Sequence, residues 1–198
     1  MRALIIVDVQ MDFCPGGALP VDKGDGVIPV INKYVALFAD KGLPVFFSRD
    51  WHPSDTAHFR KQGGDWPEHC VQGTQGAQFH PDLLVPEYAI ILSKGMTSGV
   101  EGYSAFQGKD EEGKTFLDVI EKLNIDELYV GGLATDYCVK HSVMDALDIG
   151  IKVYLLIDAT KGVNENVLDT KKAVARMEEN GANVIRFADA VGSLLTRV

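Results

Sequence analysis

The chain has 198 residues, of which 46% are hydrophobic and 24% charged, a composition typical of a folded domain with a full hydrophobic core. A formal net charge of −9 disfavours nucleic acid and anionic membranes as partners, and the aliphatic runs are too short to span a bilayer. Three widely spaced cysteines and the lack of a signal-peptide pattern predict a cytoplasmic protein without a disulfide framework.

Short aliphatic runs alternate with helical patterns along the chain. The runs predict six strands, at Ala3–Val7, Pro44–Ser48, Tyr88–Ser93, Glu127–Gly131, Ile151–Ile157 and Asn183–Phe187. Helical periodicity covers Val27 to Phe38, Phe116 to Leu123, Val139 to Leu147 and Val167 to Met177, with Asn164 as the expected cap of the last helix. This order predicts an α/β, doubly wound three-layer fold with a mainly parallel six-stranded sheet. We expect residues 1–198 to form a single domain.

Residues from about 50 to 86 interrupt this alternation, because they show no sustained hydrophobic period. Such a long irregular segment in a compact domain is usually functional or disordered. Four of the five histidines and both tryptophans lie in it, and aromatic residues argue against disorder. We therefore expect an ordered active-site loop region.

Reactive side chains follow the predicted strands at their carboxyl ends, the edge at which open α/β sheets bind ligands. Asp8 follows the first strand, Asp50 the second and Lys94 the third, and Cys138 comes shortly after the fourth. An ammonium can stabilise a thiolate, and a carboxylate can carry the thiol proton to a leaving group. Asp8, Lys94 and Cys138 together predict a nucleophilic cysteine, although each alone could be structural.

The position of Cys138 suggests how its thiol could be activated. If Thr135 or Asp136 caps the following helix, Cys138 lies in the first helical turn, where free N–H groups favour a thiolate and can bind an oxyanion. Two alternatives remain at this point: Cys138 packs as a small apolar residue, or it pairs with His141 one turn later. The second would place the base on the helix body, away from the loops.

Asp50 and His52 lie two residues apart in an extended segment, so their side chains point to the same side. His58 and His69 follow within reach of a folded loop. Carboxylate and imidazole ligands without thiolate suit Zn²⁺, Mn²⁺ or Fe²⁺ in an open site. The alternative is a hydrogen-bonded loop network without a metal.

Aromatic side chains and glycine spacing indicate which kind of ligand the chain binds. Phe13, Trp66 and Tyr103 flank these motifs and could line a pocket for a flat ring. The glycine pairs of the chain match neither the Gly-x-Gly-x-x-Gly pattern nor the Walker pattern. We therefore expect no nucleotide cofactor and a small-molecule substrate.

Five motifs resemble those of the nicotinamidase/pyrazinamidase members of the isochorismatase-like cysteine hydrolases, and the resemblance runs nearly end to end. The motifs lie at Asp8–Leu19, Arg49–Pro53, Trp66–Cys70, Ser93–Gly95 and Gly132–Val139. The resemblance implies hydrolysis of nicotinamide, and also of pyrazinamide, to the acid and ammonia. It implies a catalytic triad of Asp8, Lys94 and Cys138, with a thioester intermediate on the cysteine.

The same resemblance implies the roles of further residues. One divalent metal per chain would be bound by Asp50, His52 and His69, with His58 as an additional ligand in some members, and would orient the pyridine ring. Phe13 and Trp66 match positions that sandwich that ring, and Tyr103 and Leu133 are expected to contact the substrate. The Leu133–Ala134 bond matches a cis peptide that turns the Ala134 N–H toward an oxyanion hole completed by the N–H of Cys138.

Three alternatives stay open. The chain could be an isochorismatase-like hydrolase of another substrate, a metallohydrolase in which metal-bound water attacks directly, or a non-catalytic binding module. The sequence leaves the identity of the metal open, and it fits a monomer or a homo-oligomer.

Overall fold

The structure, a computed structural model, describes residues 1–195, which form six β-strands and five α-helices. The strands are β1 (Arg2–Val7), β2 (Val45–Asp50), β3 (Ile90–Lys94), β4 (Glu127–Leu133), β5 (Lys152–Lys161) and β6 (Asn183–Ile185). The helices are α1 (Ile28–Asp40), α2 (Phe116–Leu123), α3 (Lys140–Asp148), α4 (Asp169–Glu179) and α5 (Phe187–Leu195). None of these helices is long and apolar enough to cross a membrane.

The six strands form one sheet in the order β3-β2-β1-β4-β5-β6, and all neighbouring strands are parallel. The chain builds the sheet outward from β1 to β3 and then returns, so that β4 pairs with the other side of β1. The gap between β1 and β4 at their carboxyl ends is thus a topological switch point, where folds of this type bind ligands. The predicted α/β doubly wound fold is confirmed.

Hydrophobic side chains cover both faces of the sheet. In β1, Ala3, Ile5 and Val7 pack against α2, α3 and α4, whereas Leu4 and Ile6 pack against α1 and α5. A strand buried on both faces needs apolar residues at every position. This explains why the strands read as continuous apolar runs rather than as alternating ones, and it produces the expected three layers.

The end of the sheet differs from the prediction, because β6 ends at Ile185 and Phe187 begins a helix, α5, that the sequence analysis did not predict. The Arg186 N–H donates to the Asp189 carboxylate, and the Phe187 N–H donates to Asp158, both at 2.9 Å. These carboxylates satisfy backbone donors that a helix start leaves free. Phe187 therefore packs at a helix start and not in a strand.

The start of α4 also differs from the prediction. Val167 and Leu168 are 91% and 53% exposed, so they are not part of the buried face that the periodicity indicated. The helix begins at Asp169, with Leu168 as its N-cap residue. Asn164 nevertheless stabilises this start, because its side-chain oxygen accepts a hydrogen bond from the Thr170 N–H at 3.0 Å.

The segment between β2 and β3, residues 51–89, contains neither a strand nor an α-helix. Isolated bridges hold it together, pairing His52 with Val71 and Phe59 with Trp66. Phe59 is fully buried and gives this segment a small apolar centre of its own. Backbone pairing and one buried ring thus order the segment that carries most of the histidines.

Candidate active site

Three ionisable side chains meet at the carboxyl ends of β1, β2 and β3. Asp8 follows β1, and Asp50 and Lys94 are the last residues of β2 and β3, opposite each other in the ladder. The Lys94 Nζ atom lies 2.7 Å from Asp8 Oδ2 and donates a hydrogen bond to Asp50 Oδ1. All three side chains are buried, so two carboxylates replace water around the ammonium.

Cys138 completes this cluster from the other side of β1. Its Sγ atom lies 3.5 Å from Lys94 Nζ, and one oxygen each of Asp8 and Asp50 lies within 4.8 Å of it. The contact follows from the strand order, because β4 is the neighbour of β1 and the chain after β4 returns beside Asp8. The three residues predicted to act together are therefore brought together.

Burial and charge set the protonation of this cluster. Burial raises the pKa of Asp8 and raises that of Cys138 well above its ordinary value, although Lys94 lowers both. Burial by itself would lower the pKa of Lys94, but Asp50 and Asp8 raise it well above its ordinary value. Burial would raise the pKa of Asp50, yet Lys94 and the nearby imidazoles hold it below its usual range. The resting site thus holds a neutral thiol beside an ammonium.

The chain reaches Cys138 through an irregular turn. Residues Thr135–Val139 form one π-helical turn before α3, and Tyr137 in it has non-helical angles, φ −122° and ψ −107°. The Thr135 hydroxyl hydrogen-bonds to Thr160, and the Asp136 carboxylate accepts two backbone N–H groups of the loop after β5. Neither side chain caps the helix, because both bind other segments. Burial also outweighs the thiolate-favouring effect expected of a helix start.

The peptide bond between Leu133 and Ala134 is cis, as the resemblance implied. The Ala134 carbonyl accepts the N–H groups of Tyr137 and Val139 at 3.0 and 3.1 Å, which starts the π-helical turn. Just before it, Gly132 has φ +114°, and a Cβ there would overlap the backbone of the neighbouring strand β1. Only glycine lets β4 lie this close to β1.

Asp50, His52 and His69 form a second group, with one ligand atom each within 4.8 Å of one another. The Nδ1 atoms of His52 and His69 lie 3.1 and 2.7 Å from the carbonyl oxygens of Gly95 and Pro67. A carbonyl only accepts, so each Nδ1 donates to its carbonyl and Nε2 is the ring nitrogen that remains for a metal. Two such nitrogens beside a carboxylate are a donor set that fits a divalent transition metal.

His58 lies next to this group without belonging to it. Its ring centroid is 6.2 Å from that of His52, and its Nε2 atom is buried with no hydrogen-bond partner among residues 1–195. A buried polar atom without a partner is costly. A ligand at this nitrogen would remove that cost, which makes His58 a candidate fourth metal ligand.

A cavity of about 90 Å³ lies between the two groups. One water needs about 10–15 Å³ on this scale, so the cavity has space for a small ring with its substituent. The Trp66 indole on its wall donates a hydrogen bond to the Tyr103 hydroxyl at 3.0 Å. Of the predicted site residues, those lining the cavity are Phe13, Asp50, His52, His58, Trp66, His69, Tyr103, Leu133, Ala134 and Cys138. Asp8 and Lys94 do not line it and lie behind Cys138.

Comparison with known proteins places the chain in a family. The isochorismatase domain matches residues 2–189. This chain belongs to the isochorismatase family. It is 41% identical to the nicotinamidase of Escherichia coli, over 95% of this chain and 96% of that protein.

Solved structures of the isochorismatase family superpose on this fold. The pyrazinamidase of Pyrococcus horikoshii in complex with zinc has a TM-score of 0.86 and 42% identity, covering 94% of this chain and 99% of that one. The yeast nicotinamidase bound to the inhibitor nicotinaldehyde has a TM-score of 0.82 and 30% identity, covering 94% and 100% of the two chains. The resemblance read from the five motifs is confirmed.

In this member of the isochorismatase family, Gln10 holds the site together in a way that the sequence analysis missed. Its side-chain oxygen accepts the Asp50 N–H at 2.8 Å, and its Nε2 donates to the carbonyls of Asp50 and Ala77 at 2.8 and 2.9 Å. Asp12 acts similarly, because its carboxylate accepts the Cys70 N–H at 2.7 Å, beside His69. No spacing rule indicates these bonds, since they join side chains to backbone groups at least 40 residues away.

Seven further cavity residues were also missed, namely Leu19, Pro20, Val21, Glu101, Tyr137, Val163 and Glu165. Burial and the nearby Glu165 carboxylate raise the pKa of Tyr137 to about 12, and the ring of Tyr137 packs edge-on against Trp66 at 5.5 Å. Tyr137 adjoins Cys138 in sequence, which was the one available signal for it. The other six lie in loops.

Proposed function

We propose that this chain is a nicotinamidase, which hydrolyses nicotinamide to nicotinate and ammonia and also accepts pyrazinamide. The observation that carries the proposal is the contact of the Lys94 ammonium with both Asp8 and Cys138, of which Cys138 lines a cavity of single-ring size. The nicotinamidase and pyrazinamidase relatives, at 41% and 42% identity over nearly the whole chain, support the same substrate class.

In the first half of the reaction, Cys138 acts as the nucleophile. Asp8 takes the thiol proton while the Sγ atom attacks the carboxamide carbon, and the Lys94 ammonium stabilises the thiolate as it forms. The backbone N–H groups of Ala134 and Cys138 bind the negative oxygen of the tetrahedral intermediate. Asp8 then gives its proton to the amide nitrogen, the C–N bond breaks, and ammonia leaves a thioester on Cys138.

In the second half, water releases the acid. Asp8 accepts a proton from a water molecule whose oxygen attacks the thioester carbon. The C–S bond breaks, and the same proton returns to the Sγ atom of Cys138. The raised pKa of Asp8 suits a group that must hold a proton in each half and then pass it on. Lys94 remains an ammonium throughout, because its pKa lies well above its ordinary value.

Aromatic residues position the ring. Phe13 and Trp66 sandwich it, and the Trp66 indole is fixed by its hydrogen bond to Tyr103. Leu133 adds an apolar contact next to Ala134. These four residues leave the carboxamide facing Cys138.

We propose that Asp50, His52 and His69 hold one divalent metal, with His58 as a further ligand. The carbonyl contacts of Nδ1 in His52 and His69, which leave Nε2 for a metal, and the unpartnered Nε2 of His58 support this ligand set. When bound, the metal would supply a Lewis acid for the nitrogen of the pyridine ring. Zn²⁺, Mn²⁺ and Fe²⁺ all suit carboxylate and imidazole ligands.

We also propose that residues 1–198 are one catalytic domain, with residues of about 50 to 86 as its active-site loop region. Residues 196–198 lie outside the described part of the chain. The cytoplasmic location, the lack of nucleic-acid, membrane and nucleotide partners, and a monomeric or homo-oligomeric state remain predictions from the sequence.

A second candidate function is a metallohydrolase in which metal-bound water attacks the amide and Cys138 is structural. The group of Asp50, His52 and His69 favours it, since a catalytic metal site has similar ligands. Hydrolysis of another carboxamide by the same cysteine chemistry is the remaining alternative.

The decisive experiment measures ammonia release from nicotinamide by the purified protein and by Cys138→Ala, with Cys14→Ala as a matched buried-cysteine control. We expect turnover by the protein and the control but not by Cys138→Ala. Acid-quenching during turnover should leave a nicotinoyl group on the peptide that contains Cys138, detected by mass spectrometry. Full activity of Cys138→Ala would favour the metallohydrolase, and no ammonia release would contradict the proposed function itself.

A further inference from the structure

The cavity of the candidate site has an acidic mouth. Two exposed residues, Glu101 from the loop after β3 and Glu165 from the loop after β5, line it together with the buried Asp50. Among the described residues that line the cavity, none is a lysine or an arginine. An anion inside the cavity therefore meets carboxylates and no lysine or arginine on its walls, and Arg60 lies outside it, in the adjoining depression that it lines together with Glu165.

Glu165 is held on this wall by neighbouring groups. The Asp136 carboxylate accepts the N–H groups of Val163 and Asn164 at 2.9 and 2.8 Å, which fixes the loop just before Glu165. Burial and the nearby Glu165 carboxylate raise the pKa of Tyr137, which also lines the cavity, so the two side chains are neighbours. The charge of Glu165 thus has a defined position beside the ligand space.

The buried ammonium does not offset this charge. Lys94 already contacts Asp8 and Asp50, so one positive charge faces two negative ones, and it is fully buried behind the cavity. A metal bound by Asp50, His52 and His69 would add positive charge at the inner end. The two glutamates are exposed, so they act on ligands that enter or leave from solvent.

We propose that Glu101 and Glu165 make the mouth of the cavity selective against carboxylates. This inference rests on the proposed hydrolysis, which converts a neutral amide into a carboxylate and an ammonium ion. Repulsion by the glutamates acts on the acid product but not on the neutral substrate. They lower the affinity for nicotinate, and for amides that carry a second carboxylate, without lowering the affinity for nicotinamide.

The expected effect is small, because both glutamates are exposed and salt screens exposed charges. At low ionic strength, we expect each to weaken nicotinate binding about twofold, and the two together about fourfold. An effect of this size is enough to reduce inhibition by accumulated product.

The test compares Glu101→Gln, Glu165→Gln and the double variant with Glu121→Gln, an exposed glutamate on α2 that does not line the cavity. Glutamine removes the charge and keeps the size and polarity of the side chain. Nicotinamide turnover is measured with nicotinate as inhibitor, at low and high salt, and with nicotinyl alcohol as a neutral inhibitor of similar size.

We expect the inhibition constant for nicotinate to fall about twofold in each single variant and about fourfold in the double variant at low salt, with no change in Glu121→Gln. High salt should remove most of the difference. Inhibition by nicotinyl alcohol should stay the same. An unchanged constant for nicotinate in the double variant, or equal tightening of both inhibitors, would overturn the proposal.

The unmodified protein separates this inference from the proposed function. If it releases no ammonia from nicotinamide, the proposed function fails, and nicotinate binding to the same variants is then measured by calorimetry. Tighter binding of nicotinate to the double variant than to Glu121→Gln would still support an acidic mouth. Equal binding would overturn it.

Discussion

The two halves of the candidate site are held in place by different means. Asp8, Asp50 and Lys94 lie where parallel strands end, and the register of the sheet brings them together. His52 and His69 lie in the irregular segment between β2 and β3, and backbone carbonyls orient their rings. The sheet thus positions the charged cluster, whereas loop hydrogen bonds position the imidazoles.

Asp50 is the residue that the two halves share. Its Oδ1 atom accepts a hydrogen bond from Lys94, and its Oδ2 atom lies 3.6 Å from the Nε2 of His52. Away from Asp50 the two halves share no residue. Substitutions in the strand-end half, at Asp8 or Cys138, should stop hydrolysis and leave metal binding intact. Substitutions in the loop half, at His52 or His69, should weaken the binding of the metal and of the substrate ring and leave the position of the Cys138 thiol unchanged.

The largest effect is expected on the strand side. Asp8→Asn should lower kcat about a thousandfold or more, close to the loss in Cys138→Ala, because residues that act as a unit lose nearly everything when one is removed. Elemental analysis should find the same metal content in both variants as in the unmodified protein. Loss of the metal together with activity would show that the two halves are not separable.

Metal removal tests the loop side. Chelation should lower activity by about a hundredfold or more while the circular dichroism spectrum stays unchanged, since a chain of this size has its own hydrophobic core. Added metal should restore activity. His52→Ala should reproduce the loss, and His80→Ala, a histidine outside the cavity, serves as the control. A metal-free preparation with full activity would contradict the prediction.

Recognition of the pyridine nitrogen of the substrate can be tested with related amides. Benzamide keeps the carboxamide and the flat ring but replaces the nitrogen by C–H, so kcat/KM should fall about a hundredfold relative to nicotinamide. Pyrazinamide keeps a nitrogen in the same place and should remain a substrate. Picolinamide and isonicotinamide move the nitrogen and should react slowly. Equal rates of ammonia release from benzamide and nicotinamide would mean that the ring nitrogen is not recognised.

The smallest of these effects is expected at His58. His58→Ala should weaken metal affinity about tenfold, less than His52→Ala, because its ring lies at the edge of the ligand group. Metal titration of the chelated protein measures both constants. Equal losses in the two variants would make His58 a full member of the ligand set.

Much of the fold could be predicted because most strands are buried on both faces and read as apolar runs. Topology then predicted that Asp8, Asp50, Lys94 and Cys138 would meet, since strand ends share one edge. The start of α5 was missed because the chain turns directly from β6 into this helix, with no loop to mark the boundary.

The parts of the site that depend on long-range hydrogen bonds could not be predicted. Thr135 and Asp136 match the residue types that cap helices, but each is used by another segment once the chain is folded. Gln10 fixes Asp50 through backbone groups, which carry no side-chain signature. Glu101 and Glu165 lie in loops, where spacing indicates nothing about the direction of a side chain.

The in-register pairing of Asp50 with Lys94 also bears on how the chain selects its fold. A slip of β3 by one residue against β2 would turn the Lys94 side chain to the opposite face of the sheet, away from both carboxylates. A buried ammonium left without its partners destabilises a protein by about 3–5 kcal/mol, which disfavours that misfolded state. β3 lies at one edge of the sheet, and β2 is its only neighbouring strand among residues 1–195. This ion-pair cluster therefore stabilises the correct register of β3 against β2. The charges proposed for catalysis thus also discriminate against an incorrect sheet.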